Sequence, residues 1–375
     1  MKRIALLVAL YFSVVNMDVY ARKIETDISA CKGVLIIFEQ LKAGLPKPQI
    51  ELTIDSVLQT KAYRVMFQHY NRDWRPNHLP ENVFKRMILS LRFPGEYTPG
   101  ENERADAMLK FWKRNFENLD DFKRNIQMLG KANLGVLIQK GVSSAQNWLP
   151  QSMKIPDFYF FVHPNGGSPA FAINGNQGYD FFQLERNPDG TINVQALIDV
   201  IAHESHHLGL KIAGQEFRTG KDSLAFSFLQ IFVAEGTASK FVDNMPGGTI
   251  GKVGKGRSKN FEEAVRKIWS EYSLQEEEMF RVFEEDFRKI YDGTYTKDSI
   301  QSRMLHYWLS GGKGRAYFLG SELFGAIYQA FGRQQLFYTM ENPRYLLRNY
   351  NNAINKLGKK LKKKILLSEW LTKVL

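Results

Sequence analysis

Between residues 49 and 147 apolar positions recur at three- and four-residue spacing, the pattern of helices that each bury one stripe. Pro80 and Glu81 open one such segment, with Val83, Met87, Ile88 and Leu91 on its apolar face. Ala105 to Phe116, Phe122 to Leu129 and Leu134 to Trp148 repeat the pattern, with Pro and Gly as punctuation. The period then changes. Asp157 to His163 is an aromatic, β-branched run, and Ala170–Ile173 and Tyr179–Phe182 flank the turn-like segment Asn174–Gly178. This predicts a small sheet of two to four strands. Helical spacing resumes near residue 193 and continues to the end. The expected fold is mainly α with a small β-sheet, an α+β arrangement with helical N- and C-terminal parts. The expected division is a helical region over 22–150 and a second unit over 151–375.

Composition adds limits. At 375 residues, 44% hydrophobic and 24% charged, the chain can bury a sizeable core and is not broadly disordered. Cys31 is its one cysteine, so no internal disulfide and no cysteine-based zinc site can form. Any metal must be held by His, Asp or Glu. Residues 1–21 read as an export signal: Lys2 and Arg3, then apolar Ile4 to Val15, then the small-residue site Val19-Tyr20-Ala21. The apolar stretch is short for a membrane span, and no later segment is long enough. The expectation is an exported protein, periplasmic or secreted, with no integral membrane segment after signal removal. Ile28-Ser29-Ala30-Cys31 looks like a lipoprotein box, but Arg22, Lys23, Glu25 and Asp27 separate it from the apolar stretch, which argues against lipidation.

The net charge is +12, spread along the chain apart from a cluster at Lys359, Lys360, Lys362, Lys363 and Lys364. That cluster is expected to form the solvated face of a C-terminal helix. No nucleic-acid module accompanies it, so no nucleic-acid partner is expected. The glycine-rich stretches Met245–Gly256 and Gly311–Gly314 are expected loops without phosphate-binding spacing, the first a candidate lid.

The chemistry concentrates at residues 202–207, Ala-His-Glu-Ser-His-His. The apolar positions Val194, Leu197, Ile198, Ile201 and Leu208 place this run on a helix, with Thr191 or Asn193 as its cap. At about 100° per residue, His203 and His207 lie on one face one turn apart, where both rings can reach one metal ion. Glu204 stands beside them, where it can hold a water. His206 is set off from that pair and reads as a packed neighbour. A catalytic zinc needs three protein ligands and one open position. Glu235 is the best third ligand. It sits in a second apolar helix with Leu224, Phe228, Ile231, Phe232 and Phe241, where a carboxylate needs a partner. The small residues Ala234, Gly236 and Ala238 are expected to let that helix approach the motif helix. Asp199, four residues before His203, is a candidate for orienting it.

His-Glu-x-x-His, followed on a later helix by Glu-Gly-x-Ala, resembles the gluzincin clan of zinc metallopeptidases. More closely, it is similar to bacterial families of unknown function described as zinc-dependent peptidases, in which the motif is often His-Glu-x-His-His, as here. The resemblance spans about residues 157–350. It implies a zincin-like core over 151–375, with Zn2+ held by His203, His207 and Glu235, Glu204 as general base, and a peptide or protein substrate. The 28 residues from His207 to Glu235 exceed the spacing of thermolysin-like members, so their substrate pockets do not carry over. A second oxyanion donor could be Tyr317, His306 or Tyr307. Related families carry Tyr-x-x-Gly here, which favours Tyr317. The competing expectation is a metal-binding helical interaction protein without turnover. The sequence leaves the oligomeric state open.

Overall fold

The computed structural model describes residues 24–72, 75, 77–210, 221–245, 247–250, 259–309, 314–361 and 363–373. The expected export signal therefore lies outside the described residues. The first part of the chain carries β1 (Ile24–Asp27) and then α1 (Ser29–Ala43), α2 (Lys47–Leu58), α3 (Lys61–Tyr70), α4 (Glu81–Leu89), α5 (Glu103–Glu117), α6 (Leu119–Lys131) and α7 (Leu134–Gln146). β2 (Phe158–His163), β3 (Ala170–Ile173) and β4 (Asn176–Asp180) follow. The remainder is helical: α8 (Val194–Gly209), α9 (Lys221–Thr237), α10 (Lys259–Leu274), α11 (Glu276–Tyr291), α12 (Lys297–Arg303), α13 (Arg315–Glu341) and α14 (Leu346–Leu357). The fold is mainly α with a small sheet, as the periodicity implied.

The sheet order is β1-β2-β4-β3. β1 and β4 both run parallel to β2, and β3 runs antiparallel to β4. Two features differ from the sequence reading. β1 was not expected, because four residues hold too little pattern to stand out. The last strand also begins earlier, at Asn176. Asn174 (φ 45°) and Gly175 (φ 72°) form a two-residue turn with both φ values positive, which leaves the residues after Gly175 free to pair with β3 at once. The strand gives way at Phe181 to a short 3₁₀ turn.

β2 is buried along its whole length, covered by α1 and α3. α8 lies against β3, at one edge of the sheet, and is backed by α7. That backing is close because Gly141 has no side chain: a Cβ there would lie 2.5 Å from Ile201 Cγ2 and 3.0 Å from Ile198 O. α8 starts where Asn193 Oδ1 accepts the Ala196 N–H at 3.1 Å. β4 is tied to the same helix. Tyr179 Oη donates to Gln177 Oε1 (2.8 Å), and Gln177 Nε2 donates to Ser205 Oγ (3.0 Å).

The basic run after α14 does not form a helical face: Lys359 and Lys360 stand in a single 3₁₀ turn, Gly358–Lys360, and Lys363 and Lys364 are not helical. Gly358, at φ 49°, ends the helix, and the chain turns back along it. Asn351 pairs with both main-chain groups of Leu367 at 2.8 and 2.9 Å, and Leu367 and Leu371 are buried. Burying those two leucines requires the chain to leave the helical path. In the expected lid, residues 251–256 lie outside the described residues. Its described part is clamped: the Gly248 and Ile250 N–H groups donate to Glu322 Oε1 and Oε2 at 2.9 Å each, and Lys240 Nζ donates to Ile250 O at 2.8 Å.

Candidate metal centre

α8 supplies three of the five singled-out residues. His203 and His207 point the same way, with ring centroids 4.6 Å apart and planes at 89°. α9 passes opposite and places Glu235 Oε2 3.4 Å from the Nε2 atoms of both rings. One donor atom from each of the three lies within 4.8 Å of the others. The side chains of His203, His207 and Glu235 keep 8%, 11% and 19% exposure, so the group is sunk, with Glu235 the most exposed of the three. Glu204 is buried beside them.

The residues fit a zinc ion. Two ligand atoms about 2.05 Å from a tetrahedral metal stand about 3.3 Å apart, and the two Nε2–Oε2 separations are both 3.4 Å. Glu235 Oε2 is buried with no hydrogen-bond partner, which a metal ion would answer. Burial alone would raise the Glu235 carboxyl, but the imidazoles of His207 and His203 outweigh it and hold the group well below the usual carboxylate range.

The orienting carboxylate for His203 is Asp243, whose Oδ2 lies 2.8 Å from Nδ1. That contact fixes Nδ1 as the protonated nitrogen and turns the Nε2 lone pair toward Glu235 and His207. Asp199, the sequence candidate, instead accepts from Gln195 Nε2 at 2.9 Å. Asp243 was missed because it stands 40 residues away and is brought in by one turn of π-helix, Ala238–Val242, at the end of α9. A local change of helical pitch leaves no trace in apolar spacing. The one available signal was an acid soon after the candidate ligand Glu235.

Of the small residues at 234, 236 and 238, Gly236 serves a different neighbour from the expected one. Gly236 meets Gly320 of α13, not the motif helix. This crossing brings Tyr317 to the site. Its ring stacks 6.4 Å from that of His203. Burial pushes its phenol well up, and the Glu235 and Glu204 carboxylates push it further, Glu235 also through a hydrogen bond. The other two candidates lie elsewhere. His306 is exposed and bonded through Nδ1 to Ser302 O at 2.9 Å, and Tyr307 is stacked between Arg303 and Arg315. His206 faces Trp148 O at 3.3 Å and is pushed down to about 3, first by burial and then by His207. It is a neutral packed residue.

Residues 54–359, most of the chain, match the model of the family DUF5700, described as "Putative zinc dependent peptidase". The chain belongs to this family. No curated protein and no solved structure matches it. The family's description agrees with a His-His-Glu group that could hold a metal ion.

Proposed function

We propose that the protein is an exported metallopeptidase that hydrolyses peptide bonds at a zinc ion held by His203, His207 and Glu235. The observation that carries this reading is the meeting of Glu235 Oε2 with both Nε2 atoms at 3.4 Å, next to a buried Glu204. A zinc ion bound there would lower the pKa of a water molecule toward about 7 and polarise a carbonyl. The remaining work falls to the chain. Glu204, one residue along from His203, accepts the proton of the attacking water and returns it to the leaving amine. Tyr317 stays protonated, because its phenol is pushed far up. It therefore has an O–H to donate to the oxyanion once substrate draws it from Glu235. Asp243 keeps His203 in one tautomer and one orientation. β3, which among the described residues pairs with β4 along one side only, offers main-chain groups on which an extended peptide can add.

Glu204 favours this reading over a purely binding role, since a metal-holding group without turnover needs no base beside its ligands. The test is cleavage of an unstructured protein substrate, stopped by a chelator and restored by zinc. A fully active chelated protein would refute it.

A further inference from the structure

α14 has two unlike sides. Leu346, Leu347, Tyr350, Ala353 and Ile354 are buried, and α13 packs along the helix. On the other side Arg348, Asn352 and Lys356 follow one another at four-residue steps and are exposed. Each step turns the helix by about 40°, so the three lie within an arc of about 80° and along about 12 Å. The turn before the helix adds Arg344 and the turn after it Lys359 and Lys360, all exposed. α14 holds no Asp or Glu. From residue 331 to residue 360 the chain has six basic residues and one acidic, Glu341, which accepts from Ser152 Oγ.

These cations are not committed to acids. Lys363 and Lys373, further on, pair with Glu277 and Glu369. Among the described residues no ion pair engages Arg344, Arg348, Lys356, Lys359 or Lys360. Two of them lie on aromatic rings instead. Lys356 Nζ is 4.5 Å from the centre of the Phe331 ring, and Arg348 Cζ is 4.8 Å from that of Tyr345. Tyr345 also stacks on Tyr338, with centroids 5.9 Å apart and planes at 3°. Phe331 and Tyr338, both on α13, keep 36% and 44% exposure.

Cations without acids of their own, set on apolar rings, match a layer that is anionic outside and apolar just beneath. A bilayer of acidic lipids is such a layer. A nucleic acid carries the same negative charge, but its bases stack on aromatic ring faces, and Phe331, Tyr338 and Tyr345 are already engaged by a cation or by each other. Among the described residues no helix is long and apolar enough to cross a membrane, and the apolar side of α14 is turned into the protein. Contact of this kind is electrostatic, with ring edges beside it, and is screened by salt.

We propose that the exposed face of α14, with Phe331 and Tyr338 beside it, docks the protein on a bilayer of anionic phospholipids. Tyr317, at the candidate metal centre, precedes Phe331 by about 21 Å along α13, so the docking face can be altered without touching that centre.

The test is co-sedimentation of the whole protein with vesicles of phosphatidylcholine, alone or mixed with an equal part of phosphatidylglycerol. Binding to the mixed vesicles only, lost in high salt, is the expected result. Arg348→Gln combined with Lys356→Gln should weaken it by about fivefold for each cation removed. Lys113→Gln combined with Lys140→Gln takes the same charge from exposed positions on α5 and α7 and should leave it nearly unchanged, because charges beyond about 10 Å are screened. Equal weakening by the two pairs would show a response to net charge alone and overturn the docking face. Equal binding to both kinds of vesicle, or to neither, would also overturn it. Binding of a single-stranded oligonucleotide that Arg348→Gln with Lys356→Gln abolishes, without binding to the mixed vesicles, would give the face to nucleic acid instead.

Discussion

A Cβ built on Gly236 would lie 2.4 Å from the Cα of Gly320. α9 and α13 thus cross backbone to backbone, and the residue just before Gly236 is Glu235, while Tyr317 sits one turn before Gly320. The acid of the candidate metal group and its neighbouring phenol are positioned by the same contact. Gly236→Ala should force the helices apart and cost about 1–3 kcal/mol or more in urea unfolding. Gly130→Ala in α6, where the nearest atom is 3.8 Å away, should be neutral or stabilising by up to about 1 kcal/mol. Equal effects from the two would show that the crossing is not tightly packed.

Asp243 and Asp199 make opposite predictions. Asp243→Asn removes the charge that holds His203 Nδ1–H, and zinc affinity should fall about 10–100-fold. Asp199→Asn should leave it unchanged. Competition with a metal-sensitive dye measures both. An Asp199 effect as large as that of Asp243 would reassign the orienting group.

Tyr317→Phe should retain zinc and substrate affinity and lower kcat by about 10²-fold or more, as expected for one lost oxyanion donor. Steady-state kinetics resolve this. A change in KM alone would make Tyr317 a binding residue.

His163, fully buried on β2, is pushed down to about 3 by burial, whereas an unfolded histidine titrates near 6.5. Its neutral form therefore contributes stability that is complete above about pH 6.5. As pH falls below that, the unfolded chain takes up a proton the folded chain refuses, and stability drops by about 1.4 kcal/mol per pH unit. The stability difference between the protein and His163→Gln should shrink at that rate between pH 6 and 4, measured by denaturant melts. A pH-independent difference would contradict the assignment.

The parts of the fold that follow from short-range chemistry were legible. The apolar stripe of α8, its Asn193 cap and the i, i+4 pair His203 and His207 all depend on residues within one or two turns of each other. What escaped depends on where distant segments meet. The role of Gly236 could be read as a close approach, but its partner Gly320 is 84 positions away and carries no complementary mark. Asp199 has the spacing of an orienting group, yet the contact goes to Asp243 because a π-helical turn redirects the chain after α9. The basic C-terminal run has helical spacing, but Gly358 and the burial of Leu367 and Leu371 override it.

The most direct test compares zinc content and peptide hydrolysis in three chains: the protein itself, Glu204→Gln and Glu235→Ala. The account predicts one zinc per chain and turnover in the first, zinc without turnover in the second, and loss of both in the third. Full zinc in Glu235→Ala, or undiminished hydrolysis by Glu204→Gln, would contradict it.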